Sequence, residues 1–305
     1  MPRPSARGSA ASAVLRPLFW ASLAYDGDMP AARSPAADLD ITSPANPRVK
    51  HLVALRRRRV RDDAKVTLVE GFEELELALA AGVRPRTLFY SPEIGGAYDP
   101  PLLTQAAERG ADIIRVTKEV FSKVAYRESP DGWLAVVPEV RSDLAALRLG
   151  HDPLVVICQG VEKPGNLGAI LRTADAAGVG AVIATDPVTD WGNPNVIRAS
   201  KGTVFSVPVA ADTSTQVMAW LSEHEIKLVA TSPDAEVMLT DADLTAATAI
   251  AVGSEARGLS ADWLAFADVK VRIPMFGLAD SLNVATSAAI ACYEAIRQRL
   301  EIRTP

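Results

Sequence analysis

The sequence predicts an α/β protein with two domains, and three observations lead to this expectation. The chain has 305 residues, of which 49% are hydrophobic, and this length is sufficient for two cores of ordinary size. Short apolar runs alternate with amphipathic segments through most of the chain, a pattern typical of a sheet covered by helices on both faces. No apolar run approaches the roughly 20 residues that a membrane-spanning helix needs.

The N-terminal stretch differs in composition from the rest of the chain. Residues 1–40 are rich in Ala, Pro and Ser with scattered charge, which predicts a disordered leader. Arg16 and Pro17 interrupt the apolar segment that a signal peptide would need, and this argues against export. Met29 is a candidate start of translation in addition to Met1.

The cysteines and histidines exclude several kinds of chemistry. Cys158 lies in an apolar strand pattern and Cys292 on the apolar face of a predicted helix, so we expect neither a disulfide framework nor a zinc cluster. His51, His151 and His224 stand in polar contexts without the spacing of metal ligands or of a catalytic triad. The sequence therefore predicts a reducing cytoplasmic setting, no metal and three surface histidines.

The first domain is predicted over residues 41–140 as a small α/β unit, followed by a linker over residues 141–152. The apolar periodicity alternates between strand and helix spacing. The predicted strands are Val66–Val69, Thr87–Tyr90, Asp112–Val116 and Trp133–Val137, and the predicted helices are Phe72–Ala80 and Pro101–Arg109.

A cluster of basic residues opens this domain. Residues 41–140 carry 15 Lys and Arg against 14 Asp and Glu, and eight of the basic residues fall between Arg48 and Lys65. Adjacent arginines repel one another unless anions are close, which favours contact with the phosphates of RNA or DNA; a solvated helix face is the alternative. The candidate RNA-binding residues are Arg56, Arg57, Arg58, Arg59 and Arg61.

The second domain is predicted over residues 153–305 as a parallel sheet with helices on both faces. Residues 141–305 are acidic overall, with 13 Lys and Arg against 19 Asp and Glu. The predicted strands are Leu154–Cys158, Ala181–Ala184, Phe205–Val209, Lys227–Ala230, Ile250–Val252 and Val269–Ile273.

Polar loops follow three of these strands, and ligands of open α/β sheets bind outside the carboxyl ends of strands. The first loop, VEKPGNLGAILRT, begins like a nucleotide-binding loop but lacks the G-x-G-x-x-G spacing. We place Asn166 at the N-cap of the helix that follows. Arg172 lies about 140° around that helix from Leu167, so it faces solvent, a ligand or a partner. The apolar stripe of the helix comprises Leu167, Ile170, Leu171 and Ala174.

The other two loops are GSEARG, with Gly253, Glu255 and Gly258, and the segment IPMFGLADSLNV, which ends at Val284. A helix rich in small residues begins near Leu282 and is expected to pack closely against its neighbours. Because we expect the three strands that these loops follow to be neighbours, we expect the loops to form one site. The packing side chains of the last helix are Val284, Ala288, Ala291, Cys292, Ala295 and Ile296.

Together these loops contain three motifs in a fixed order. They are N-x-G-x-x-x-R (Asn166, Gly168, Arg172), G-x-E-x-x-G (Gly253, Glu255, Gly258) and I-P-M-x-G-x-x-x-S-L-N-V (Ile273 through Val284). The set closely resembles the SpoU/TrmH family of RNA ribose 2′-O-methyltransferases, within the SPOUT class. The segment NPNVIRASKGTVFSVPV, with Arg198, resembles a further stretch of the family. The family often has serine after S-L-N-V, whereas this chain has Ala285 followed by Thr286.

The resemblance implies a fold, a cofactor and an assembly. It implies a deep trefoil knot in the second domain, a bound S-adenosylmethionine and a homodimer with the active site at its interface. The cofactor contacts that it implies are Gly253, Ile273 and Leu282, and Arg198 is an implied RNA contact. The first domain is similar, more loosely, to the substrate-binding domain of the family through LVEGFEELELAL and SPDGWLAVV.

Roles for individual residues follow from the same resemblance. Arg172 occupies the position of the catalytic arginine of the family. A guanidinium is very hard to deprotonate, so we favour a role in binding the adjacent phosphate over a role as simple base. Asn166, Ser281 and Asn283 are expected to position the ribose and the loop by hydrogen bonds, and Glu255 to organise the site.

Alternative functions stay open at this point. The first alternative is a dehydrogenase-type dinucleotide binder, but this chain lacks the third glycine that such a protein needs, and Arg172 would have no role in it. The second alternative is a catalytically idle RNA-binding protein, which would not need the polar motif residues. The separate first domain with its arginine cluster favours 23S ribosomal RNA as substrate, with transfer RNA as the alternative.

Overall fold

The computed structural model describes residues 39–94 and 99–303, which contain two sheets. The first sheet has five strands in the order β1-β4-β3-β5-β2. The neighbours β1, β4 and β3 are parallel, and β5 is antiparallel to both β3 and β2. Its strands are β1 (Leu39–Ile41), β2 (Val66–Glu70), β3 (Thr87–Tyr90), β4 (Asp112–Val116) and β5 (Trp133–Pro138).

Five helices accompany this sheet, and two elements differ from the sequence prediction. Strand β1 and helix α5 were not predicted, and the predicted leader lies outside the described residues up to residue 38. The arginine-rich segment forms two short helices because the chain turns at Leu55–Arg57 between them. The helices are α1 (Pro47–Ala54), α2 (Arg58–Ala64), α3 (Phe72–Ala80), α4 (Pro100–Glu108) and α5 (Lys118–Val124).

The second sheet has seven strands, and every adjacent pair in it is parallel. The order is β10-β12-β9-β11-β6-β7-β8. The strands are β6 (Leu154–Gln159), β7 (Ala181–Thr185), β8 (Val209–Asp212), β9 (Lys227–Thr231), β10 (Val237–Met238), β11 (Thr248–Val252) and β12 (Val269–Arg272). The helices are α6 (Pro164–Ala177), α7 (Pro194–Ala199), α8 (Ser214–Glu223), α9 (Ala261–Phe266) and α10 (Val284–Arg303).

One predicted strand, Phe205–Val209, is wrong. Thr203–Phe205 is a short 3-10 helix, and the strand begins only at Val209. Pro208 has no N–H to donate to a strand ladder, and the amides of Ser206 and Val207 donate to the Thr203 carbonyl in turns instead. The apolar residues here therefore form a turn ahead of the strand.

Helices cover both faces of the second sheet, as predicted. Alternate strand residues point to opposite faces, and Val156 joins one core while Val155 joins the other. The first core is continuous with side chains of α6, α10 and the first sheet. The second core contains Trp220 of α8 and Trp263 of α9, and residues of the predicted linker, such as Leu144, also pack into it.

Three further expectations concern membrane spans, the histidines and the domain boundaries with the knot. Among the described residues, no helix combines the length and the apolar composition needed to cross a membrane. The histidines His51, His151 and His224 are exposed, as predicted. The domain boundaries at residues 140 and 153 and the trefoil knot stay predictions.

Candidate active site

The candidate site lies where the strand order of the second sheet reverses. From β6 the chain builds outward through β7 and β8, then returns to place β11 on the other side of β6. Ligands of open α/β sheets bind at such a switch point, outside the carboxyl ends of the strands. The first turn of α6, which follows β6, carries Asn166, and the loop after β11 carries Glu255. The third motif follows β12, which β9 separates from β11, so the expectation of three neighbouring strands holds for two of them only.

A chain of hydrogen bonds joins the three motifs. The Asn283 side-chain amide donates to Asn166 Oδ1 at 3.1 Å, and Asn166 Nδ2 donates to the Glu255 carboxylate. The backbone N–H of Ala285, near the start of α10, donates to Asn283 Oδ1 at 2.9 Å. Residues more than 80 positions apart in sequence thus converge on one small polar cluster.

The two ends of this chain fix the orientation of both asparagine amides. The N–H of Ala285 can only donate, and an ionised Glu255 carboxylate can only accept. Each asparagine must therefore turn its oxygen toward Ala285 and its nitrogen toward Glu255, so the order of donors and acceptors has one consistent solution. We call this arrangement the amide relay.

Asn166 is inside the helix and not at its N-cap, which corrects the sequence prediction. The N-cap of α6 is Lys163, and Pro164 takes the first helical position, where its missing N–H costs nothing. The side chain of Asn166 is consequently free to bond across the site. The predicted apolar stripe of α6 is buried, and Arg172 is exposed, as the helical geometry predicts.

Glycines allow the site loops to approach one another closely. A Cβ on Gly253 would overlap the backbone of Gly258 and Leu259. Gly258 has φ +63° and donates its N–H to the Ser254 carbonyl at 2.8 Å, which closes the turn around Glu255. The motif glycines are therefore required by backbone approach.

A cavity of about 610 Å³ opens beside the amide relay. All three residues predicted to contact the cofactor, Gly253, Ile273 and Leu282, line it. Predicted site residues Glu255, Ser281 and Asn283 also line this cavity, whereas Arg172 does not. After S-L-N-V, Ser287 lines the cavity, whereas Ala285 and Thr286 do not.

Sequence reasoning missed several polar residues of this cavity. Arg257 and Asp280 lie inside the second and third motifs, and Ser281 Oγ donates to Asp280 at 3.2 Å. Asp234 lies in the loop directly after the predicted strand β9. The rule that led to the other loops, to search directly after each strand, also identifies this one.

The arginine cluster is only in part an exposed surface, which corrects the prediction for Arg61. Arg61 is 4% exposed and donates to the carbonyls of Leu55 and Arg56, at the chain turn between α1 and α2. Arg61 is therefore removed from the RNA-binding set. Arg56 is exposed but donates to the carbonyls of Lys123 and Ala125 at the end of α5.

The remaining cluster residues are more accessible. Arg58 pairs with Asp62 at 3.5 Å. Arg59 has a side chain that is 92% exposed, and Arg57 is exposed as well. Arg198, the last predicted RNA contact, is exposed at the end of α7. Phosphates can therefore reach Arg57, Arg59 and Arg198.

The cysteines have no accessible chemistry. Both are free and buried, and burial raises the pKa of the Cys158 thiol far above its ordinary range and that of Cys292 to about 12. Neither thiol is a nucleophile at neutral pH. Within the described ranges, no group of three or more His, Cys, Asp and Glu side chains is arranged to hold a metal ion.

The fold and the site together define a two-domain α/β protein with a ligand cavity at the switch point of its parallel sheet. A model of the SpoU rRNA Methylase family matches residues 153–293. A second model, of the MRM3-like substrate binding domain, matches residues 46–135. The chain belongs to the SpoU rRNA methylase family, and the resemblance found in the sequence is confirmed.

Known proteins resemble the chain over most of its length. A 23S rRNA (uridine(2479)-2′-O)-methyltransferase of Streptomyces viridochromogenes is 35% identical over 281 residues, which cover 89% of this chain and 96% of that protein. The crystal structure of an RNA 2′-O ribose methyltransferase is 43% identical with a TM-score of 0.75, and the match covers 86% of this chain and 100% of that one. An AdoMet-bound rRNA methyltransferase from Sinorhizobium meliloti is 30% identical with a TM-score of 0.77, over 85% and 97% of the two chains.

Proposed function

We propose that this protein transfers a methyl group from S-adenosylmethionine to a ribose 2′-hydroxyl of 23S ribosomal RNA in the cytoplasm. The observation that carries the proposal is the amide relay, which joins Asn166, Glu255 and Asn283 beside one cavity. A dinucleotide-binding protein would need none of these contacts. The similarity to 23S rRNA methyltransferases over nearly the whole chain supports the substrate.

The cavity suits the proposed cofactor. Its volume of about 610 Å³ falls within the roughly 300–1,000 Å³ of small-molecule sites. Ile273 and Leu282 offer apolar surface for an adenine ring, Asp280 and Glu255 offer negative charge to a cationic ligand, and Arg257 offers a partner for a carboxylate. When bound, S-adenosylmethionine supplies a methyl group activated by a positively charged sulfur.

The protein side chains then have to orient the ribose and manage one proton. Methyl transfer requires the 2′-oxygen to be held in line with the methyl group, and its proton has to leave. We propose that Arg172 binds the phosphate next to the reacting ribose and stabilises the developing negative charge on the oxygen. Asn166, Ser281 and Asn283 would hold the ribose and the loop in place.

We also propose that the protein acts as a homodimer. Helix α10 buries one face, yet Ile290, Tyr293 and Leu300 are between 39% and 58% exposed, and clustered exposed apolar groups often mark a protein interface. Arg172 is exposed on α6, which packs against α10. A partner chain could thus complete the substrate side of the site, and analytical ultracentrifugation measures the assembly directly.

Transfer of labelled methyl groups tests the proposed function. Ribosomal and transfer RNA from a strain lacking this gene are incubated with the protein and labelled S-adenosylmethionine, and ribose methylation is mapped. We expect label on one nucleotide of 23S RNA and strongly reduced label with Arg172→Ala. Label on transfer RNA would contradict the proposed ribosomal RNA substrate, and absence of cofactor binding would contradict the proposed methyltransferase activity.

Replacement of Gly253 by alanine is expected to weaken cofactor binding strongly. The added Cβ would overlap the backbone of Gly258, so the turn that lines the cavity must open. Isothermal titration calorimetry should show an affinity for S-adenosylmethionine reduced by about 100-fold or more, the effect of a 1 Å misplacement of binding groups. Gly277→Ala, where a Cβ meets nothing within 4 Å, is the matched control, and equal affinities for both variants would contradict the prediction.

Loss of Arg57 and Arg59 is expected to weaken RNA binding without affecting cofactor binding. The double change to Ser should reduce the slope of log affinity against log salt by about 1.4, since each contact to single-stranded phosphate contributes about 0.7. The control pair Arg115→Ser with Lys270→Ser removes the same charge from other exposed positions. An identical salt slope for wild type and the Arg57, Arg59 variant would exclude these residues as phosphate contacts.

A further inference from the structure

Helix α7 lies between the first sheet and the helix that carries Asn166 and Arg172. On one side it packs against α6, where a Cβ on Gly168 would overlap Ala199. Gly168 is the motif glycine between Asn166 and Arg172, so α7 touches α6 within the first motif. On its other side α7 packs against β2 of the first domain.

Polar contacts tie the flanks of α7 to the first domain. Asp190 accepts from Arg61 at 3.4 Å and pairs with Arg58 at 3.6 Å. The buried Thr67 hydroxyl donates to the Gly192 carbonyl. These contacts involve both β2 and the arginine-rich helix α2.

Two more contacts lie at the C-terminal flank. Lys201 Nζ binds Glu73 Oε2 of α3 at 2.7 Å. A Cβ on Gly202 would lie 2.9 Å from the Glu74 carbonyl oxygen, and the φ of Gly202 is +83°. The backbone of this flank therefore lies directly on α3.

The segment that makes these contacts has a rigid local structure. The Asn193 side chain caps α7, and Pro194 occupies its first position. After the helix, Ser200 Oγ donates to the Ile197 carbonyl at 2.8 Å, and Thr203 Oγ1 donates to the Ser200 carbonyl at 2.9 Å. Buried polar groups that bond within their own segment hold it in one conformation.

Because Arg61 is buried, its contact with Asp190 favours one arrangement of the two domains. Arg61 is almost fully buried, and a buried guanidinium that keeps only carbonyl partners, here those of Leu55 and Arg56, has no counter-charge, which is costly. If the first domain swung away on its linker, Arg61 would lose its only carboxylate partner among the described residues, and the apolar core shared by both domains would open. The docked arrangement is thus strongly favoured over a swinging one.

We propose that residues 190–202 form an interdomain clasp that fixes the RNA-binding domain directly against the catalytic helix α6. Asp190 is its main positioning residue. It acts through Arg58 and Arg61 to hold α2, so that Arg57 and Arg59 stand at a fixed position relative to Arg172. The effect on RNA turnover rests on the proposed function, whereas the fixed arrangement does not.

Distance measurement between the domains tests the clasp independently of activity. Spin labels are attached to Glu108→Cys in α4 and Glu223→Cys in α8, both exposed, while the two buried native thiols do not react. The labelled protein is mixed with excess unlabelled protein, so that a homodimer carries one labelled chain, and we then expect one narrow distance distribution that becomes broad after Asp190→Ala. A broad distribution without that substitution, or no broadening with it, would overturn the clasp.

Kinetics separate positioning from general damage. Asp190→Ala should lower kcat/KM for RNA by about 100-fold, the effect expected of a misplaced binding surface. The change should lie in KM for RNA, while kcat and the affinity for the cofactor stay unchanged. Asp190→Asn, which keeps an acceptor for Arg61, should recover part of the loss, and the exposed Asp262→Ala should lose nothing. Thr67→Val, which keeps the charged pair, provides a second test of broadening if Asp190→Ala does not fold.

The distance measurement and the RNA kinetics test the clasp and the proposed function separately. A narrow distribution that broadens with Asp190→Ala supports the clasp even if no RNA is methylated, and only the proposed function would then fall. If RNA is methylated while the KM for RNA and the distance distribution are unchanged in both Asp190→Ala and Thr67→Val, the proposed function holds and the clasp is contradicted.

Discussion

Replacement of Arg172 by alanine is expected to reduce the rate of methyl transfer by about 10²- to 10³-fold, the usual effect of removing one preorganised donor to developing negative charge. Arg172 is exposed and does not line the cavity. The affinity for S-adenosylmethionine should therefore remain unchanged. Single-turnover transfer at saturating RNA measures the chemical step without contributions from binding.

The lysine variant distinguishes the two roles considered for this arginine. A guanidinium can hold a phosphate through two parallel hydrogen bonds, and an ammonium ion cannot. If Arg172 anchors a phosphate, Arg172→Lys should lose about tenfold in rate, corresponding to one charge-assisted hydrogen bond of roughly 1.5 kcal/mol. Thr173→Ala on the same helix is the control, and full activity of Arg172→Lys would rule out the anchoring role.

The arginine cluster illustrates what sequence patterns predict and what they leave out. Five arginines within six residues indicate an accessible basic surface, and this is correct for Arg57 and Arg59. The pattern does not reveal that Asp190, more than 120 residues later, faces Arg61. Nor does it reveal that the carbonyls at the end of α5 accept from Arg56. Long-range partners of this kind depend on tertiary packing, which local periodicity does not encode.

The core strands were predicted well because their burial leaves a clear signal. Strand β3 matches its predicted range because a continuous apolar run marks a buried strand, and β4 matches its range although it is only partly buried. The three-residue β1 and the helix α5 were missed because such short elements have little periodicity. The strand prediction for Phe205–Val209 was wrong because the apolar residues of this segment pack into the core from a turn and not from a strand.

For the candidate site, the sequence indicated the right loops but not their connections. The search after strand ends found Asn166 and Glu255, and the family resemblance added Asn283. The order of donors and acceptors between them depends on atoms that only the folded chain brings together. That order leads to the second large prediction.

Replacement of Asn166 by aspartate is expected to disrupt the site more severely than replacement of Glu255 by glutamine. The aspartate would place a second carboxylate against Glu255, where the native amide donates. The glutamine, in contrast, can still accept from Asn166 through its carbonyl oxygen. We expect Asn166→Asp to lower the free energy of unfolding by about 0.2–1 kcal/mol, the size of interactions between exposed charged groups, and Glu255→Gln to lower it by less. Urea unfolding measures both.

The double variant provides the decisive comparison. In Asn166→Asp with Glu255→Gln, the introduced glutamine amide can donate to the introduced carboxylate, while Asn283 still donates to the other oxygen of that carboxylate. The relay is thus restored with one bond reversed and the total charge unchanged. The double-mutant cycle should give a favourable coupling within the usual range of about 0.5–3 kcal/mol. Additive effects would mean that Asn166 and Glu255 do not bond in solution.

The activity of the same double variant shows whether Glu255 acts only as a hydrogen-bond acceptor in the relay or also through its negative charge. If the relay only positions the ribose and the third-motif loop, methyl transfer should recover together with stability. If stability recovers while transfer remains at the level of Asn166→Asp, a negative charge at position 255 is itself required by the reaction. In that case the carboxylate of Glu255 does more than accept a hydrogen bond, because the double variant completes the relay but carries its negative charge at position 166 in place of position 255.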